Sequence, residues 1–191
     1  SGFHKTPKDL QRELMKHFLF LVFTVAIAFG QQPPLKEHAL PAIKGSILLP
    51  DGWNLKEEAE DGVTVYQVSR EKGESEEEIF STGLILSVTT KVPDRATMKA
   101  SEYARDLLTS AQEEGGDAKL EKTQEGPLEC LRLGYTIGRD EGNIKVINLA
   151  KPNDATGTLY FATWQSTEKE EAALKPVREA ILSSMKLDPS F

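Results

Sequence analysis

Histidine and cysteine are scarce in this sequence, and with them go most routes to catalysis. The three histidines, His4, His17 and His38, lie in the first 38 residues, ahead of the patterned region that reads as a folded domain. A domain without histidine excludes Ser-His-Asp and Cys-His arrangements and a His-ligated zinc site. The single cysteine, Cys130, has no partner for an internal disulfide. A reactive thiol there would need a depressed pKa, for which Arg132, two positions along the same strand face, supplies a charge. A lone cysteine is more commonly a small buried hydrophobe, and Cys130 is read that way.

Carboxylates are the other chemical resource. One stretch holds Glu57-Glu58 with Glu60-Asp61, and another holds Glu74 with Glu76-Glu77-Glu78. Oxygen clusters can hold Ca²⁺, which makes Glu74, Glu76, Glu77 and Glu78 the candidate metal ligands. A calcium loop, however, needs alternating oxygens and a turn glycine in fixed register, and neither stretch has them. Both read as solvated loops. Two carboxylates brought together by folding could hydrolyse a glycoside, but no Asp or Glu stands out at a strand end. No glycine loop suited to phosphate precedes a helix, and no cofactor is expected. Trp53 and Trp164 are the aromatic candidates for ligand contact, and both read as core, Trp53 packing over a helix or sheet edge.

The N-terminus looks like an export signal. Met15-Lys16-His17 is a basic start, and Phe18 to Phe29 is an uncharged run of twelve residues, apolar but for Thr24. As a helix the run would span roughly 18 Å, short of the ~30 Å hydrocarbon layer, so it suits a signal-peptide core better than an anchor. Small residues allow cleavage after Ala28 or after Gly30, the second preferred. Residues 1–30 are expected to be leader, with Met15 as the true start, and the proline-rich residues 31–42 to be linker. Past Gly30 the chain carries 19 basic and 28 acidic residues, a net of −9. That balance argues against nucleic acid or an anionic membrane as partner. About 68–70% of the unfolded surface of such a domain can be buried, so packing alone can stabilise it.

The positioning elements follow from periodicity. Ser46–Leu49 reads as a strand closed by a Pro50-Asp51-Gly52 turn, and Val63–Ser69 and Leu84–Lys91 alternate as strands. Ala100, Tyr103, Ala104, Leu107, Leu108 and Ala111 fall on one helical face, with Asp94 or Thr97 as cap. Four strands follow: a polar edge strand over Lys119–Gln124, then Glu129–Gly138, Ile144–Ala150 and Thr158–Gln165. Apolar residues on both faces of the last strands imply a sheet covered on both sides. Thr167 to Glu170 has capping-box spacing. Pro176 predicts a break, with a turn over 168–174 and the main helix beginning near the proline. The fold class is α+β, a mostly antiparallel β-sheet sandwiched between two helices.

Ile47-Leu48-Leu49-Pro50-Asp51-Gly52-Trp53 near the domain start, and Leu174-Lys175-Pro176-Val177 leading to Ile181-Leu182-Ser183-Ser184-Met185 at its end, carry a resemblance. Over about residues 43–187 the order of elements resembles the PsbP-like superfamily of PsbP, Mog and DcrB-type proteins. The resemblance implies a central antiparallel sheet between helices in a single domain over 43–188. It implies no particular activity, since members use one scaffold differently. The expected function is an exported, non-catalytic binding or accessory module for an unknown protein or small ligand, without a stable membrane anchor. A carboxylate-dependent envelope hydrolase and a divalent-cation-responsive protein are the alternatives.

Overall fold

The computed structural model describes residues 34–71, 82–115, 118–125, 128–139, 142–188 and 190–191. The leader and signal segment, the Glu74–Glu78 stretch and the Gly126-Pro127 turn lie outside them. Two strands open the domain, β1 (Leu35–Leu40) and β2 (Gly45–Pro50), joined by a 3₁₀ turn over Pro41–Ile43. They pair antiparallel with each other from Leu35 opposite Pro50 to Leu40 opposite Gly45. The segment expected to be linker is therefore partly strand. Its alternation is weak because only Leu40 is fully buried, while Lys36, Glu37 and Ala39 face water.

Among the described residues seven strands form the main sheet: β3 (Asn54–Glu60), β4 (Val63–Ser69), β5 (Gly83–Thr89), β6 (Leu120–Glu125), β7 (Leu128–Ile137), β8 (Ile144–Asn153) and β9 (Thr158–Thr167). Their order is β3-β4-β5-β9-β8-β7-β6, with every neighbour antiparallel. The turn after β2 forms as read: the Trp53 N–H donates to the Pro50 carbonyl at 3.2 Å, and Gly52 takes φ 83. The acidic stretch Glu57–Glu60 is not loop but the exposed edge strand β3, which Asp61 and Gly62 (φ 46 and 73) turn into β4. A strand whose side chains nearly all face water leaves no apolar alternation to read. The other edge, β6, is where the sequence placed it.

Among the described residues three helices accompany the sheet: α1 (Val92–Ala96), α2 (Ala100–Gly115) and α3 (Glu171–Ser184). Thr97 ends α1 in the left-handed region at φ 58, so it does not cap α2, and Asp94 lies within α1. Capping comes instead from Glu102, which accepts the Lys99 N–H at 2.9 Å, and from Asp154 across the fold. α3 runs unbroken through Pro176, contrary to the expected break. Both Pro176 and Ala172 are exposed, so the carbonyl that loses its partner faces water and the cost stays small.

Strand alternation sorts the core into two clusters. Ala100, Ala104 and Leu108 of α2 pack with Leu131, Leu133, Tyr135, Val146, Ala150 and Leu159. On the opposite face, Cys130, Ile147, Leu149, Tyr160, Ala162 and Trp164 meet Val177, Ile181, Leu182 and Met185, together with Leu40, Ile43, Ile47 and Leu49 of the β1–β2 ribbon. The cover on this Trp164 face is therefore a helix and a two-stranded ribbon together.

Candidate functional site

Side chains alternate along each strand, so Arg70, Thr82 and Ser166 follow Val68, Leu84 and Trp164 on the same face. The Arg70 N–H still donates to the Thr82 carbonyl at 3.3 Å, carrying the β4–β5 ladder one step past its named ends. The turn after β9 delivers Glu170 and Glu171 to this end of the sheet as α3 begins. Arg70 donates to both oxygens of Glu170 at 2.9 and 3.2 Å and to Glu71 at 3.3 Å. Glu170 also accepts the hydroxyls of Thr167 at 3.0 Å and Thr82 at 3.4 Å.

The chain of charges continues along α3. Ser166 donates to Glu171 at 2.9 Å. The Arg178 guanidinium, only 4% exposed, bonds to Glu171 and, at 2.8 Å, to Glu179. Arg132 on β7 donates to both Glu179 oxygens, at 2.8 and 3.3 Å. Three guanidinium groups thus hold Glu71, Glu170, Glu171 and Glu179. The Arg132 hydrogen bonds, with Arg178 adding to them against the opposing effect of burial, bring the Glu179 carboxyl down to about 2. The Arg70 hydrogen bonds lower Glu170 as well, and burial opposes them. Arg70 and Arg132 are each raised, first by their glutamate partner.

This geometry bears on general-acid chemistry. A general acid must keep its proton near neutral pH, which requires an apolar or like-charged setting. Glu170 and Glu179 have the opposite setting, a guanidinium fork on each. The cluster ties the start of α3 to β4, β5, β7 and β9.

Aromatic groups border the same end. Trp53 stacks on Trp164 with centroids 5.9 Å apart and planes at 19°. Trp164 is fully buried and its indole N–H has no acceptor among the described residues. Trp164 is therefore core, as read, while Trp53 is half-buried and packs against that core on its fellow tryptophan. Tyr66 is likewise buried with no partner at hydrogen-bond geometry for its hydroxyl. Burial first, and then the Glu57 carboxylate, push its phenol up to about 12. Burial does the same to Tyr160, to about 12, while its hydroxyl donates to the Asp188 carbonyl at 2.9 Å.

Cys130 is fully buried in the Trp164-face cluster, in keeping with its reading as a small hydrophobe. Arg132 is committed to Glu179. His38 corrects the histidine inventory, because it lies on β1 opposite Ile47 and so inside the folded domain. Its ring makes no hydrogen bond or ion pair among the described residues. Glu74, Glu76, Glu77 and Glu78 lie outside the described residues. Among the described residues no group of three or more His, Cys, Asp and Glu is placed to hold a metal ion, and no helix is long and apolar enough to cross a membrane. Sequence reasoning missed the Arg70, Arg178, Glu170, Glu171 and Glu179 cluster. Arg178 carried a signal: it falls at i+4 from Leu174 and i−3 from Ile181, an arginine on an apolar stripe.

No family profile matches the sequence, and no curated protein is found similar to it. Solved structures do match. The solution structure of cyanobacterial PsbP (CyanoP) from Synechocystis sp. PCC 6803 has a TM-score of 0.50 and 16% identity, covering 84% of this chain and 96% of that one. The Saccharomyces cerevisiae Ran-binding protein Mog1p has a TM-score of 0.45 and 13% identity, covering 81% and 96%. A Pseudomonas aeruginosa protein described as a putative regulator has a TM-score of 0.44 and 10% identity, covering 78% and 94%. The architecture reached from residues 43–187, a large antiparallel sheet with helices packed on it, is the PsbP-like fold.

Proposed function

We propose that this chain is an exported, non-catalytic binding or accessory module, a single PsbP-like domain with one long helix on each face of its sheet. The observation that carries the non-catalytic reading is the pairing of Glu170 and Glu179 with Arg70, Arg132 and Arg178. These gathered carboxylates are held ionised below their ordinary range, so they serve as anchors and cannot donate a proton near neutral pH. Export is supported by the apolar run Phe18–Phe29 behind Met15-Lys16-His17. The acidic balance favours protein or small-ligand partners over nucleic acid.

The test is a screen of the domain against ester, glycoside, peptide and phosphate substrates between about pH 4 and 9, the span in which a tuned carboxylate would titrate. No turnover is expected. Turnover abolished by Glu170→Gln or Glu179→Gln, in a protein that still folds, would overturn the non-enzyme reading in favour of the carboxylate hydrolase.

A further inference from the structure

The edge strand β3 combines three properties that bear on partners. It is regular: seven residues pair in unbroken register with β4, from Asn54 opposite Ser69 to Glu60 opposite Val63. It is terminal in the sheet, with no strand on its outer side among the described residues. And the charge it leaves outside an ion pair is of one sign. Lys56 is taken up by Glu58 at 2.7 Å, while Glu57, Glu60 and Asp61 meet no ion-pair partner among the described residues.

Hairpin geometry says which backbone groups are free. A two-residue turn is flanked by a hydrogen-bonded pair, here Glu60 and Val63, and the pairs alternate from there. Leu55, Glu57 and Ala59 therefore point their N–H and C=O groups away from β4. An outer row of this kind is a template for another strand. Two like-charged β3 edges repel, so a second copy of this chain is disfavoured, whereas a basic strand gains at each carboxylate.

The buried Tyr66 hydroxyl adds an independent observation. Tyr66 lies opposite Glu57 in the ladder, is 1% exposed, and its oxygen lacks a hydrogen-bond partner among the described residues.

We infer that β3 is a docking edge for an extended, lysine- or arginine-rich segment of a partner protein, added as an eighth strand of the sheet. The inference rests on the binding-module reading and supplies its partner class. Backbone hydrogen bonds at Leu55, Glu57 and Ala59 give the affinity, and Glu57, Glu60 and Asp61 select the sign of the charge.

The test uses two synthetic nine-residue peptides, one alternating Lys and Val, the other Glu and Val, titrated into the isotope-labelled protein. The Lys peptide should bind, with the amides of Leu55, Glu57 and Ala59 shifting and gaining exchange protection, and the Glu peptide should not. Ala59→Pro removes an outward donor while sparing the β4 pairing, and should weaken binding about tenfold or more, roughly 1.4 kcal/mol. The triple variant Glu57→Lys, Glu60→Lys, Asp61→Lys should invert the preference between the peptides and covers the case in which Ala59→Pro fails to fold. Binding that shifts amides elsewhere, no binding, or self-association through β3 would overturn the inference. None of these outcomes creates turnover, so the non-catalytic reading stands or falls separately.

Discussion

Asp154, in the turn between β8 and β9, accepts both the backbone N–H of Ser101 at 2.8 Å and its hydroxyl at 2.7 Å. The first turn of α2 is thereby capped by a residue 53 positions away. Asp154→Ala should lower stability by about 0.5–2 kcal/mol, the usual cost of a lost N-cap. Asp94→Ala, at an exposed site in α1, should stay within about 0.5 kcal/mol. Urea denaturation of the two variants checks the assignment, and equal effects would contradict it.

Arg178 is a buried cation between two carboxylates, and removing it leaves Glu171 with only the Ser166 hydroxyl and Glu179 with Arg132 alone. Arg178→Ala should destabilise by about 3–5 kcal/mol, whereas changing the cluster to apolar residues of similar volume should cost far less. The comparison is Arg178→Ala against Arg178→Met combined with Glu171→Leu, which leaves the Arg132–Glu179 pair in place. A single variant as stable as the wild type would show that the cluster does not anchor α3.

The same cluster sets an acid limit. Glu179 falls from an ordinary 4.5 to about 2 in the fold, so the unfolded chain binds its proton first as pH drops. Its contribution is fully present above about pH 4.5 and is lost progressively down to about pH 2. Arg132→Met should flatten the stability profile in that window and leave the profile near neutrality parallel to that of the wild type. Thermal midpoints across the range measure it.

Leu107 and Leu108 are adjacent in sequence and differ in environment. Leu108 is 1% exposed within the α2 cluster, while Leu107 is only partly buried against it. Leu108→Ala should cost about 2–5 kcal/mol, and Leu107→Ala clearly less. Matching losses would mean that the helix is rotated about its axis.

Calcium tests the remaining acidic stretch. Read as a solvated loop, the segment with Glu74, Glu76, Glu77 and Glu78 should leave thermal stability unchanged in millimolar calcium. A ligand at a hundredfold excess over its Kd would instead add about 2.7 kcal/mol. A rise abolished by Glu76→Gln and Glu77→Gln together would establish the cation-responsive alternative.

The alternating strands β4, β5, β7 and β9 and the α2 stripe were legible because each has a more deeply buried side that imposes a period, and β8 was legible from apolar residues on both of its faces. The ribbon strand β1 and the edge strand β3 were not. Glu57, Glu58 and Glu60 face water, so β3 is specified by its partner β4 and by the Asp61-Gly62 turn. Pro176 misled for a related reason: a proline rule written for buried helices is relaxed where Ala172 is solvated. The charge cluster drew on β4, β5, β7, β9 and α3, elements far apart in the chain. Only Arg178, misplaced on its apolar stripe, pointed to it in advance.

The seam between β5 and β9, with Gly83 opposite Gln165 and Thr89 opposite Leu159, has a kinetic consequence. On one side, β3-β4-β5 is a meander of neighbours, and on the other β6-β7-β8-β9 is a second. Strand pairs within each meander close short loops, whereas the seam pairs strands 70 to 82 residues apart in the chain. Non-local pairing of this kind slows folding, because the entropy of a long loop is lost before the contact that offsets it forms. The hairpins are therefore expected to assemble early and the seam late. Until β9 arrives, the inner edge of β5, with Leu84, Leu86 and Val88 beside it, stays open. An exported chain would carry that exposed edge through the interval before Thr158–Thr167 is delivered.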